Sequence, residues 1–276
     1  MINEFTRGTA VLPRDTATLN SVTPWNRRIH FLGVPMDAVD MEETVAVIDH
    51  VMANRLRLKH VVVNVAKLVA MRRDAELRRD VVESDLINID GMGVVWGARL
   101  LGLSVPGRVT GIDLMGRVLE LCARRGYRPY ILGAREDVLA QAIENIRERY
   151  PDIRLAGWRN GYFTPADEPG IVEEIRASKA DCLFVAISSP VKERFTQQYR
   201  DQFEVPFIMG VGGSIDVMAG LVNRAPHWMQ SLGLEWLYRV IQEPRRMWRR
   251  YLTTNSAYAL LLVKELCRVY LLRQPL

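Results

Sequence analysis

The residues best placed to do chemistry in this chain follow short apolar runs. Asp90 closes the run Asp85-Leu-Ile-Asn-Ile-Asp90 and is followed by Gly91 and Gly93. A carboxylate at a strand's end, with glycines keeping the backbone open around it, faces a cleft and can take a proton as a general base. Aspartate also caps helices, and the spacing leaves both roles open. In Gly210-Val-Gly-Gly-Ser-Ile-Asp216, the backbone at Gly212 and Gly213 can cradle a phosphate, with Asp216 available to a ribose hydroxyl or to cap a helix. The stretch is not a full GxGxxG and no P-loop lysine follows, so a tight structural turn explains it equally well. Arg108 follows Pro106-Gly107, and Lys192-Glu193 follows Pro190. Either cation can neutralise a diphosphate, and a solvated surface position accounts for each as simply. Asn64 closes a further apolar run.

Elements that would position these residues are legible around them. Short β-rich runs occur at 29–32, 60–64, 85–90, 129–132, 154–157, 182–186 and 206–209. Helical stretches fall at 41–55, 93–101, 113–125, 137–150, 169–178 and 192–203. Strand and helix alternate, which predicts an α/β fold, Rossmann-like, with a mostly parallel sheet covered by helices on both faces and a C-terminal helical appendage. Ligands of such sheets sit at the carboxyl ends of the strands, where Asn64, Asp90, Gly133, Ser188 and Gly210 all fall. The division expected is a polar, poorly ordered leader over 1–28, a core over 29–238 and an appendage over 239–276. Leu234-Glu-Trp-Leu-Tyr-Arg239 has apolar residues at helical spacing and reads as core.

Composition narrows the function class. Of 276 residues, 49% are hydrophobic and 25% charged, which suits a globular protein with an ample core. Cys122, Cys182 and Cys267 are far apart, and His30, His50, His60 and His227 form no HxH or HExxH. Neither a disulfide framework nor a metal centre is expected, and no cofactor is implied. Residues 1–28 contain no apolar signal-peptide core, and the apolar run Ala257–Val263 is far shorter than the ~20 residues that span a bilayer. A cytoplasmic, soluble or peripheral protein is expected.

Charge is concentrated at the end of the chain. Residues 239–276 carry eight basic side chains against Glu243 and Glu265, whereas the whole chain is only +5. Arg239, Arg246 and Arg249, at i, i+7 and i+10, fall on one face of a continuous helix. With Trp236, Trp248, Tyr251, Tyr258 and the leucines beyond, this reads as a helix resting on an anionic membrane. The leucine and valine content of 260–272 argues against nucleic acid as the partner.

Together, DGMG (90–93), RVTGIDL (108–114), ILGA (131–134), GYF (161–163), SSPVKERF (188–195), MGVGGSIDV (209–217), NRAP (223–226) and LGLEWLYRVIQEPRR (232–246) resemble the WecG/TagA/CpsF glycosyltransferases over roughly residues 29–250. The resemblance implies an inverting transferase that works without a DxD metal motif, which this sequence also lacks. Its donor would be a UDP-sugar and its acceptor a polyprenyl-diphosphate-linked saccharide at the inner face of the membrane. It implies Asp90 as catalytic base, Asn64 and Arg108 in the pocket, and Arg239, Arg246 and Arg249 on the diphosphate. Two positions depart from the family pattern: Val62-Val63 stands where Thr-Pro is usual before Asn64, and Lys192 stands where glutamine is usual. The lysine would favour an acidic donor sugar or hold a phosphate. Loss of the usual polar pocket residues points to a hexose donor, glucose, in exopolysaccharide assembly. N-acetylmannosamine or its uronic acid is the alternative within the family, and a nucleotide-binding dehydrogenase the alternative outside it. A homo-oligomer is left open.

Overall fold

The computed structural model describes residues 27–271. All but the last two residues of the expected leader lie outside that range, and Arg28 already belongs to a strand. The described chain opens with an antiparallel hairpin of β1 (Arg28–Phe31) and β2 (Val34–Asp37). Leu32 and Gly33 turn it with φ of 49° and 70°, the left-handed pair a two-residue hairpin turn demands. Asp37 is buried, accepts two hydrogen bonds from Arg28, and accepts a third from the backbone N–H of Ile87 at 2.7 Å.

The central sheet has six parallel strands: β3 (Leu58–Val63), β4 (Leu86–Ile89), β5 (Pro129–Gly133), β6 (Gly157–Arg159), β7 (Cys182–Ala186) and β8 (Phe207–Gly210). Their order is β4-β3-β8-β7-β5-β6, and the expected α/β class is the one observed. Side chains alternate between two buried faces, as period two requires. Phe184, Phe207 and Met209 pack with the helices α1 (Met41–Ala53), which follows an Asp40/Glu43 capping box, and α5 (Gly111–Arg125), which ends on a left-handed Gly126. Leu183, Val185 and Ile208 face the opposite layer. Each fully buried side chain of this size contributes about 1.5–3 kcal/mol.

At the β3–β4 end, Val61, Val63, Ile87 and Ile89 pack on the hairpin and on three helices: α2 (Val65–Ala70), α3 (Ala75–Val82) and α4 (Met92–Leu100). The C-terminal segment closes the same cluster. Tyr258 is buried there, with Ala257, Leu261, Leu262 and Leu266 packed alongside. The tail is therefore built into the core along its second half. Among the described residues, no helix is long and apolar enough to cross a membrane.

Three expectations are corrected. The sixth strand lies at Gly157–Arg159 instead of 154–157 and is a three-residue edge. The helix expected over 192–203 is α8 (Val191–Gln198), reached after α6 (Glu136–Arg149) and α7 (Glu168–Ala177). After the short helices α9 (Ser214–Met218) and α10 (His227–Ser231), the basic tail is broken into α11 (Glu235–Gln242) and α12 (Pro244–Leu266). Glu243, at φ −131° and ψ 64°, precedes Pro244, and a residue before proline is pushed out of the helical region. Arg239 therefore belongs to a different helix from Arg246 and Arg249, and the three share no single helical face.

Candidate active site

Asp90 follows β4 directly, its N–H bonded to the Val63 carbonyl at 2.9 Å. It caps nothing. The N-cap of α4 is Gly91, whose φ of 108° only glycine adopts readily, and no side chain caps that helix. Among the described residues the Asp90 carboxylate takes no hydrogen bond, and part of it is open to the cleft. Burial pushes its pKa up to about 6 and Glu235 adds to the rise, while Arg108, Lys67 and Arg239 pull against it. A carboxyl so balanced is ionised at neutral pH and still basic enough to accept a proton.

Two ionic groups surround it. Beneath lies a buried trio in which Lys67 donates to Glu193 at 2.8 Å and Lys192 approaches the same carboxylate at 3.6 Å. Burial works against the Glu193 charge, but the two lysines overcome it and hold its pKa at about 2. Two ammonium groups thus share one carboxylate, leaving a net positive charge below Asp90. Lys192 is itself pushed down by burial and by Lys67, and supported by Glu193 and Asp90. Its stem fills the space over Gly210, where a Cβ would fall 2.6 Å from Lys192 Cδ, and Nζ lies 3.3 Å from a Cβ placed on Gly212. Neither Lys192 nor Glu193 is a solvated surface residue. Asn64 caps α2 by accepting from the Lys67 N–H at 3.0 Å and borders the Gly91 turn.

The second group spans distant segments. Arg108 pairs with Glu235, and Glu235 also lies 3.7 Å from Arg224. Arg224 forks onto Asp113, with one arm at 2.6 Å. Thr110, the cap of α5, donates to Asp113 at 2.5 Å. Burial opposes the Asp113 charge, but Arg224 and Thr110 hold its pKa below the usual carboxylate range. Glu235 and Arg239 lie one turn apart on α11, which buries none of its residues. The LEWLYR stretch, expected as core, is thus a wall of the site. Lys67, Asp113, Arg224 and Glu235 were not anticipated from the sequence; three of them lie inside the motifs RVTGIDL, NRAP and LGLEW.

The other end of the cleft is made of tight backbone. A Cβ on Gly161 would fall 2.8 Å from Gly133 Cα, and one on Gly133 only 2.5 Å from the Ala186 carbonyl carbon. Arg135 pairs with Asp137 at 2.6 Å, which raises its pKa, and Asp216 adds to the rise. Gly213 precedes α9 and sits over the Asp216 carboxylate. Gly212 therefore borders the Lys192 ammonium, and Gly213 borders Asp216. Arg249 is elsewhere, exposed and resting over the Trp248 ring at 5.3 Å. The side chain of Arg246 lies outside the described residues.

The fold and the site define an α/β protein with one carboxylate set among cations at the carboxyl ends of its strands. The chain belongs to the glycosyl transferase WecG/TagA/CpsF family, whose model matches residues 29–271. It is 37% identical over 182 residues to an N-acetylglucosaminyldiphosphoundecaprenol N-acetyl-beta-D-mannosaminyltransferase of Bacillus subtilis strain 168, covering 66% of this chain and 70% of that one. It is also 37% identical over 170 residues to the protein of the same description from Bacillus spizizenii, covering 62% and 65%. It is a glycosyltransferase.

Proposed function

We propose that this protein transfers N-acetylmannosamine from its UDP-donor to a polyprenyl-diphosphate-linked N-acetylglucosamine, with Asp90 as general base. The observation that carries this reading is the Asp90 carboxylate, free of hydrogen bonds among the described residues, raised to about 6 and flanked by Lys67, Arg108 and Arg239. The carboxylate takes the proton of the acceptor hydroxyl as its oxygen attacks the anomeric carbon. The bond from that carbon to the donor's phosphate oxygen breaks, and UDP leaves with the electron pair on the opposite face, inverting the centre. Lys192, Arg108 and Arg239 neutralise the charge that builds on the diphosphates, and Gly212, Gly213 and Asp216 receive the nucleotide. Glu193 and Asn64 hold Lys67 and Lys192 in place.

The named activity of the two Bacillus relatives favours N-acetylmannosamine over the glucose expected from the sequence. A second reading rests on Lys192: a buried ammonium close to Asp90 suits a donor sugar with a carboxylate, N-acetylmannosaminuronate. The basic surface of α12, with Trp248 and Arg249 exposed, supports docking on the anionic inner leaflet and thereby access to the lipid acceptor. UDP-glucose, UDP-N-acetylmannosamine and UDP-N-acetylmannosaminuronate, each assayed with a short-chain lipid-diphosphate N-acetylglucosamine, test the readings. Product only from the first would overturn both the main and the second reading.

A further inference from the structure

The C-terminal segment grips α4, the helix that follows Asp90, at three heights. Gly233 sits on its first turn: a Cβ there would fall 2.6 Å from Met92 Cβ and 3.1 Å from the Trp96 ring. Tyr258 of α12 lies over Gly97 in the middle and donates a 2.7 Å hydrogen bond back to the Gly93 carbonyl of the first turn. At the last turn, Tyr270 donates to the Leu100 carbonyl at 2.9 Å. The middle contact is the tightest. A Cβ on Gly97 would fall 2.2 Å from the Tyr258 hydroxyl oxygen and 2.9 Å from the Phe31 ring. Gly97 thus leaves a notch for the Tyr258 hydroxyl that a larger residue would fill, whereas a Cβ on Gly93 would meet Val65 Cγ2 at 3.0 Å.

Packing alone does not explain the hydroxyl. Tyr258 lies among Leu261, Leu262, Ala257, Val94 and Phe31, where a phenylalanine would bury the same ring. Burial raises the hydroxyl pKa, so it stays a neutral donor. Its one bond fixes the register of α12 against the first turn of α4. That turn is bonded back to the residue after Asp90, the Gly91 carbonyl accepting from the Val94 and Val95 N–H groups at 3.2 and 3.4 Å. Whatever sets α4 therefore sets the Asp90 carboxylate against Arg108 and Lys67.

We propose that Tyr258 is a positioning residue for the transfer reaction, locking the C-terminal helix onto the Gly93 carbonyl and the Gly97 notch and so holding the Asp90 turn in its working geometry. This rests on Asp90 being the base. A base displaced by an ångström loses rate while substrates still bind, so the signature is a fall in kcat at constant KM. The experiment compares Tyr258→Phe, Gly97→Ala, their double variant and Asp90→Asn, all in the full chain. Tyr258→Phe lowers kcat about five- to twentyfold, with both KM values within about twofold and the thermal midpoint nearly unchanged. Gly97→Ala expels the hydroxyl and does at least the same. In the double variant the two losses do not multiply, because they break one contact. Unchanged kcat in Tyr258→Phe, or a loss matched by unfolded protein, overturns the proposal even if Gly97→Ala fails to fold. Losses that multiply in a folded double variant overturn it as well. An inactive Asp90→Asn beside a normal Tyr258→Phe removes the positioning role alone, whereas an active Asp90→Asn removes the base assignment and this role with it.

Discussion

Arg108 and Glu235 stand 127 positions apart in the chain and form a 2.5 Å ion pair, and both act on the charge of Asp90. Glu235 raises the Asp90 pKa and Arg108 lowers it, so the two substitutions move the acidic limb of activity in opposite directions. In Glu235→Gln the limb of kcat/KM falls below about 6, because the acidic neighbour is gone and Arg108 is freed toward Asp90. In Arg108→Met it rises. Measuring kcat/KM between pH 4.5 and 8 checks this; shifts of the same sign in both variants would show that another group sets the limb.

Asp90→Asn removes the proposed base without changing its shape. Turnover falls by ~10²–10⁴-fold while UDP-sugar affinity stays within a few-fold. Stability moves the other way. A carboxyl whose pKa is about 6 when folded, against about 3.9 for a free aspartate, holds its proton more tightly in the native state. Its penalty is absent in acid, grows as pH rises from about 4 to 6 and is complete above that. The variant is therefore more stable than the parent at pH 8, by on the order of 1–3 kcal/mol, and loses that advantage below pH 4. Urea unfolding at the two pH values measures the difference.

In the proposed reaction, leaving-group charge is met by side-chain cations. Transfer accordingly persists in millimolar EDTA, and added magnesium or manganese changes the rate less than about twofold. Activity that vanishes with the chelator and returns with metal would contradict this assignment of charge.

Arg249 and Arg250 are exposed on α12, away from the Asp90 cluster. Each surface cation contributes about 1 kcal/mol toward an anionic bilayer. Arg249→Ala/Arg250→Ala weakens sedimentation with anionic vesicles roughly tenfold or more, leaves the circular dichroism spectrum unchanged, and has no effect with neutral vesicles. Equal sedimentation of parent and variant would remove the docking reading of this surface.

The tail also tests how it is built in. Truncation after Gln242 removes Tyr258 and Leu262 from a core shared with Phe31 and Val94. The shortened chain loses several kcal/mol on area grounds, seen as a lower urea midpoint; an unchanged midpoint would mean that the tail rests on the core without supporting it.

What the sequence made legible was local. Asp90, Asn64 and the glycines after β8 each follow a run whose residue types announce a strand's end, so their place at the mouth of the sheet could be read directly. The α/β class followed from the same alternation. The partners of Asp90 could not be read that way. Lys67 meets Glu193 across 126 positions and Arg224 meets Asp113 across 111, and no local pattern says which arginine finds which carboxylate. β2 escaped notice because Val34-Pro-Met-Asp37 contains proline and is too short for alternation to show. The arginine face of the tail failed at a single residue: Pro244 restarts the helix, which a spacing count across it ignores.

Asp37 has a consequence for assembly. The strand that leads to Asp90 lies at the edge of the sheet, where exposed N–H groups invite another chain to add a strand. The hairpin lies along that edge, and Asp37 occupies the Ile87 N–H with a side chain, which offers no ladder for a further strand to continue. At the far edge β6 has only three residues. Among the described residues there is therefore no long free β-edge through which a second copy could extend the sheet, and the strand beneath Asp90 is shielded from such pairing.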